Sequence, residues 1–171
     1  RDAGETWTPL AMEGLADFHA MSVSPADPKV VYAWNVSGRA GFYRSRDSGR
    51  TWTFIPTNLR RVFALAASPL APGEVLVGAD IGLLRTTDGG ETWTLAHPDL
   101  SGIAVTVVAI HPSHRSVWYA YAAHPQFGLI RSDDAGKTWR TLGFFLGERD
   151  AVGYLALHPQ EPDGLYLATF E

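Results

Sequence analysis

The sequence predicts an all-β chain of repeated four-stranded antiparallel sheets, a β-propeller or part of one, and three observations carry that prediction. An octet, Thr86-Thr87-Asp88-Gly89-Gly90-Glu91-Thr92-Trp93, recurs with its Asp-x-Gly-x-Thr-Trp frame intact at residues 1–7, 45–52 and 132–139. The four closing tryptophans stand at positions 7, 52, 93 and 139, so the repeat spans 45, 41 and 46 residues, the length of one propeller blade. Between the octets run short apolar stretches bounded by Pro and Gly, the mark of strands joined by tight turns. The 17 Gly and 11 Pro among 171 residues favour that arrangement over long helices.

Each octet residue has a mechanical task. The Asp carboxylate accepts hydrogen bonds from backbone N–H groups of the turn, and Gly supplies the positive φ that the reversal needs. Thr leads into the next strand, and Trp gives that strand an apolar anchor. The structural set is therefore Asp2, Gly4 and Trp7; Asp47, Gly49 and Trp52; Asp88, Gly90 and Trp93; Asp134, Gly136 and Trp139.

Taken in order, residues 1–10 read as the turn and last strand of a partial blade. Residues 19–56 read as a complete blade, with strands His19–Val23, Val30–Trp34, Gly41–Ser45 and Thr51–Ile55. A second spans 61–97, with Val62–Ala66, Glu74–Gly78 and Gly82–Arg85 before the octet. The third spans 104–142, through Val105–Ile110, Val117–Tyr121 and Gly128–Arg131. Residues 152–171 hold half a blade, Tyr154–Leu157 and Gly164–Thr169. The whole of 1–171 reads as a single region of about four blades and a fragment of a larger propeller, and open blade edges invite self-association.

Composition narrows the function classes. With 46% hydrophobic residues the chain can bury a core, and a net charge of −4 gives no general attraction to nucleic acid. Lack of Cys removes disulfides, thiolate nucleophiles and Cys-ligated zinc. No apolar run is long enough to cross a bilayer, so no membrane insertion is expected, and no signal peptide is visible. Neither a cofactor nor a metal site is expected.

The octet resembles the Asp box, or BNR repeat, of sialidase-type β-propellers, and in texture the chain looks like bacterial exported BNR-repeat proteins labelled glycosyl hydrolase. That resemblance implies an extracellular or periplasmic setting and boxes on the face opposite any catalytic centre. Sialidases of this kind hold a carboxylate with three arginines, which draws attention to Arg44, Arg85 and Arg131. These three occupy one repeat position, however, and equivalent positions diverge around a ring, so a structural role at blade edges is the better reading. His111 and His158 stand where earlier units have Ser24 and Ser68, before the turn Pro, and read as turn residues, although His111, His114 and His158 also invite a metal reading. Asn35-Val36-Ser37 matches the glycosylation sequon.

Loops opposite the boxes are where binding residues concentrate. The candidates there are His19, Trp34, Arg39, Arg60, Arg61, Tyr121, His124, Glu148, Arg149 and Asp150, with Trp34 also fitting a core role. The leading expectation is a non-catalytic, extracytoplasmic binding or scaffold module with a protein or carbohydrate ligand. The alternative is a glycoside hydrolase, sialidase-like or glucanase-like, drawing on Tyr154 or Tyr121 with Glu148 or Asp150.

Overall fold

Runs of β-branched, aromatic and small apolar residues between Pro and Gly turns form antiparallel sheets of one design in this computed structural model, which describes residues 3–147 and 151–170. The first sheet joins β1 (Phe18–Val23), β2 (Val31–Asn35), β3 (Gly41–Ser45) and β4 (Thr53–Ile55) in sequential order. The second joins β5 (Val62–Ala67), β6 (Val75–Ala79), β7 (Gly82–Thr86) and β8 (Thr94–Leu95). The third joins β9 (Val105–Ile110), β10 (Trp118–Ala122), β11 (Gly128–Ser132) and β12 (Arg140–Thr141). β13 (Ala151–Leu157) and β14 (Leu165–Phe170) pair as a two-stranded sheet. This is the all-β propeller architecture, with the first strands β1, β5, β9 and β13 side by side at the inner edge.

Outer strands are shorter than the sequence suggests. Thr51 and Trp52 stay in the corner, so β4 begins only at Thr53, and β8 and β12 have two residues each. The expected last strand within residues 1–10 is absent, since residues 5–10 form no strand and Trp7 is 88% exposed. Its indole still folds back to donate to Gly4 O, at 3.0 Å. The local corner therefore outlives the sheet that would bury its Trp.

The corners account for the repeat. Asp47 Oδ1 accepts from Thr51 N at 2.8 Å and Asp47 Oδ2 from Thr51 Oγ1 at 2.7 Å, while Trp52 Nε1 donates to Gly49 O at 3.1 Å. Ser45, two residues ahead, donates its hydroxyl to Asp47 Oδ1 and accepts from Gly49 N. Thr86 does the same for Asp88 and Gly90, and Ser132 for Asp134 and Gly136. This fourth member was legible as a Ser or Thr two places before Asp47, Asp88 and Asp134, but its task emerges only in three dimensions. Gly49, Gly90 and Gly136 have φ of +84°, +101° and +78°.

Adjacent sheets are stitched at nearly the repeat distance. Tyr32 donates to Pro72 O at 2.6 Å, and Tyr119, in the same register position of the third sheet, donates to Pro162 O. Arg44 reaches Gly89 O of the next corner at 3.2 Å, and Arg131 pairs with Asp163 in the turn between β13 and β14. Arg85 breaks the pattern by pairing with Glu74 of its own sheet and lying over the Trp118 ring of the next, 5.3 Å from its centroid. All three arginines are thus spent on packing between or within blades. Three apolar clusters fill the junctions, built around Tyr32, Trp34 and Val77; Leu76, Leu100 and Trp118; and Tyr119, Tyr121 and Leu129.

Gly90 shows how closely a corner fits its neighbour. A Cβ there would run into the Phe42 ring of the preceding sheet, at a backbone angle that L residues avoid. Gly90→Ala is expected to cost about 2–4 kcal/mol in denaturant unfolding. Loss under about 0.5 kcal/mol, the range of a neutral surface change, would contradict this packing.

Candidate functional site

Among the described residues the box carboxylates Asp47, Asp88 and Asp134 are the most strongly perturbed acids, and all three are spent on their own corners. Bonds from Thr51 hold Asp47 down at about 2, and those from Thr138 hold Asp134 at about 2. Thr92 lowers Asp88 further, with help from Thr86. Arg131 lowers Asp163 by hydrogen bond and charge. These groups are kept ionised, the opposite of what a general acid requires. Burial pushes Tyr32 and Tyr119 up, away from the phenolate a nucleophile would need.

The histidines ahead of turn prolines behave as the serines they replace. His111 Nδ1 accepts from His114 N at 2.9 Å and Ser113 N at 3.2 Å, as Ser68 Oγ accepts from Leu70 N. His158 Nδ1 likewise accepts from Glu161 N at 3.1 Å. Among the described residues no group of three or more His, Asp or Glu could hold a metal ion. Asn35 is buried, accepts from Asp17 N at 2.7 Å and donates to Ser37 O at 2.6 Å. Its amide ties a loop, so the sequon reading is withdrawn.

Two of the rim candidates are core residues. Trp34 is 4% exposed within the first junction, and Tyr121 is 1% exposed, stacked on Phe145 with its hydroxyl accepting from Leu146 N. Each ring points into a junction between two sheets, which leaves it nothing to meet from solvent. His124 closes its own loop, Nδ1 accepting from Gln126 N at 3.2 Å, and tilts against Phe127. Arg39 is exposed and lies over the Phe54 ring at 3.8 Å. Arg60 and Arg61 are exposed on the segment leading into β5. Glu148, Arg149 and Asp150 lie outside the described residues, as does Asp2.

His19 is the candidate that the fold places on a shared surface. It pairs with Asp17, Nε2 to Oδ2 at 3.3 Å, and opens onto a cavity of about 330 Å³ between the inner strands. β1 contributes His19 and Met21, β5 contributes Phe63, β9 contributes Val107 and β13 contributes Tyr154. Met21, Phe63 and Tyr154 are exposed. Strand alternation explains the set, since every second residue of an inner strand turns from the junction toward the axis. This arrangement can hold an apolar or aromatic ligand group beside one imidazole. Met21 and Phe63 were not singled out from sequence, because an apolar residue in a strand reads as core.

Comparisons agree with this architecture. Residues 84–95 match the model of the BNR/Asp-box repeat. The chain is similar to an ancestral GH74 enzyme, at 22% identity and a TM-score of 0.72 over 94% of this chain and 23% of that one. Against the GH74 xyloglucanase of Xanthomonas campestris, identity is 24% and the TM-score 0.63, over 88% and 26% of the two chains. YCF48 bound to D1 peptide aligns at 23% identity and a TM-score of 0.50, over 73% of this chain and 40% of that one. The chain thus spans about a quarter of the GH74 structures it matches. No curated protein matches it. Among the described residues no helix is long and apolar enough to cross a membrane.

The lowered box carboxylates make folding acid-sensitive. A carboxyl held lower in the folded than in the unfolded chain adds stability above its unfolded value near 4, and that stability is lost as pH falls toward the folded value of about 2. The urea midpoint is therefore expected to drop between about pH 4 and pH 2, with a shallower drop in Asp47→Asn. A wild-type midpoint that stays level over this range would contradict the assignment.

Proposed function

We propose that this stretch of Asp-box β-propeller acts as a non-catalytic binding and scaffold module outside the cytoplasm, its ligand a protein or carbohydrate taken by the inner-strand surface. The observation that carries the reading is the make-up of that surface. Met21, Phe63 and Tyr154 stand exposed around the axial cavity beside the His19–Asp17 pair. Exposed apolar side chains on a concave, rigid surface are the ordinary material of a binding site. Among the described residues the acids with displaced pKa values are all lowered and held in corners or ion pairs, which supports binding over hydrolysis.

Two likenesses bear on the ligand. YCF48 is a propeller recorded with a bound peptide, and the GH74 structures include a xyloglucanase. The second of these favours an alternative reading, in which the chain is one part of a glycoside hydrolase whose acid and base include Glu148 or Asp150. A glycosidase needs two carboxyl groups about 5–9.5 Å apart across the scissile bond.

The readings separate on one panel. Immobilised glycans and polypeptides are screened for binding, and chromogenic glucosides and sialosides for turnover. The module is expected to bind without turnover, and Phe63→Ala to weaken binding roughly tenfold with the melting temperature little changed. Turnover that disappears in Glu148→Gln or Asp150→Asn would replace this reading with the hydrolase.

A further inference from the structure

The junctions between blades repeat, but they are not filled alike. Strand register makes Pro56, Ile81 and Trp93 at the first junction equivalent to His97, Phe127 and Trp139 at the second. At the second junction the His97 ring packs edge-on against Phe127, with centroids 5.8 Å apart, and His97 Nδ1 and Trp139 Nε1 are both buried without a hydrogen-bond partner. Two aromatic rings in contact occupy the position there. At the first junction the smaller Pro56 and Ile81 leave a cavity of about 450 Å³ at the outer edge of the blades. Ile81 is 44% exposed as a result.

The open cavity has a definite chemistry. Its lining includes the half-buried Trp93 indole, whose N–H donates to Gly90 O at 2.9 Å and whose ring meets Phe42 edge-on, so its position is fixed. Thr57, Asn58 and Glu91 add a hydroxyl, an amide and a carboxylate around it. No Lys, Arg or His is among these lining residues, but Glu91 is paired with Arg44 of the preceding blade, Oε1 to Nη2 at 3.6 Å. A fixed aromatic surface with several short polar groups suits a ligand that carries an apolar C–H face and a rim of hydroxyls. With Arg44 already bound to Glu91 and to Gly89 O, the described lining holds no free cation for an anionic ligand. The adjoining edge strand β8 has only two residues, too short to pair with an added peptide strand.

We propose that this outer-edge cavity is a binding site for a neutral sugar ring of a glycan, with Trp93 as the platform and Asn58 and Glu91 as hydrogen-bonding groups. The site is separate from the axial cavity, and its existence does not depend on the ligand assigned there. Its volume accommodates about one or two rings, on the scale of ordinary small-molecule sites of about 300–1,000 Å³.

The test copies the closed junction into the open one. Titration calorimetry with the neutral tetrasaccharides of glucose, mannose and galactose, and with tetragalacturonate as the anionic control, measures binding to the wild-type chain. At least one neutral tetrasaccharide is expected to saturate the protein at millimolar concentration or below, with no uptake of tetragalacturonate. Ile81→Phe fills the cavity and is expected to abolish that binding while keeping the melting temperature, and Asn58→Ala to weaken it roughly tenfold. Phe63→Ala, in the axial cavity, leaves it unchanged. Should no neutral tetrasaccharide bind, should an acidic sugar or peptide compete for Ile81, or should binding survive Ile81→Phe in a folded protein, the assignment is overturned.

Discussion

An aspartate that answers the polar groups of its own turn is the interaction on which the rest of this chain depends. The carboxylates of Asp47, Asp88 and Asp134 each take a backbone N–H and a hydroxyl from the Thr four residues on, while a Ser or Thr two residues ahead closes the other side. A corner that satisfies its own donors needs little from its surroundings, and the exposed Trp7 turn keeps its indole bond without a sheet around it. A rigid corner then delivers its glycine and its Trp ring to a fixed place, as Gly90 and Trp93 meet Phe42 of the blade before.

From that regularity the junctions follow, and their differences carry the functional argument. Tyr32 and Tyr119 bind a proline carbonyl of the next blade, whereas the intervening Leu76 leaves Arg85 to stack over Trp118. Residues with no part in a corner or a junction are released for other work. His19, Met21, Phe63 and Tyr154 gather at the axial cavity, and Asn58 and Ile81 at the outer-edge cavity beside Trp93. A repeat protein of this kind can vary such surfaces at small cost to stability, because each blade leans only on its neighbours.

Much of the fold was legible in the sequence, because a turn motif and its spacing are local properties. Gly41–Ser45 and Val105–Ile110 are strands with the bounds that their composition suggests. Outer strands were read too long, since Thr and Trp look like strand residues while belonging to the corner. The site was less legible for a physical reason. Strands sandwiched between blades are buried on both faces, so alternation cannot separate a rim tryptophan from a core one, and Trp34 and Tyr121 proved to be core. Conversely, Met21 and Phe63 carry no polar signal, and only the placement of four inner strands side by side reveals them as surface. The cavity beside Trp93 depends on comparing Ile81 with Phe127, a comparison that needs strand register.

Amide hydrogen exchange at Thr51, Thr92 and Thr138 tests the central claim most directly. These residues are exposed, yet each backbone N–H is bound to a box carboxylate. The account predicts that all three exchange far more slowly than surface amides, and that Asp47→Ala releases Thr51 while leaving Thr138 protected. Exchange of the three amides at the rate of an unstructured peptide would mean that the carboxylates do not hold the corners, and the account of the fold would fail with them.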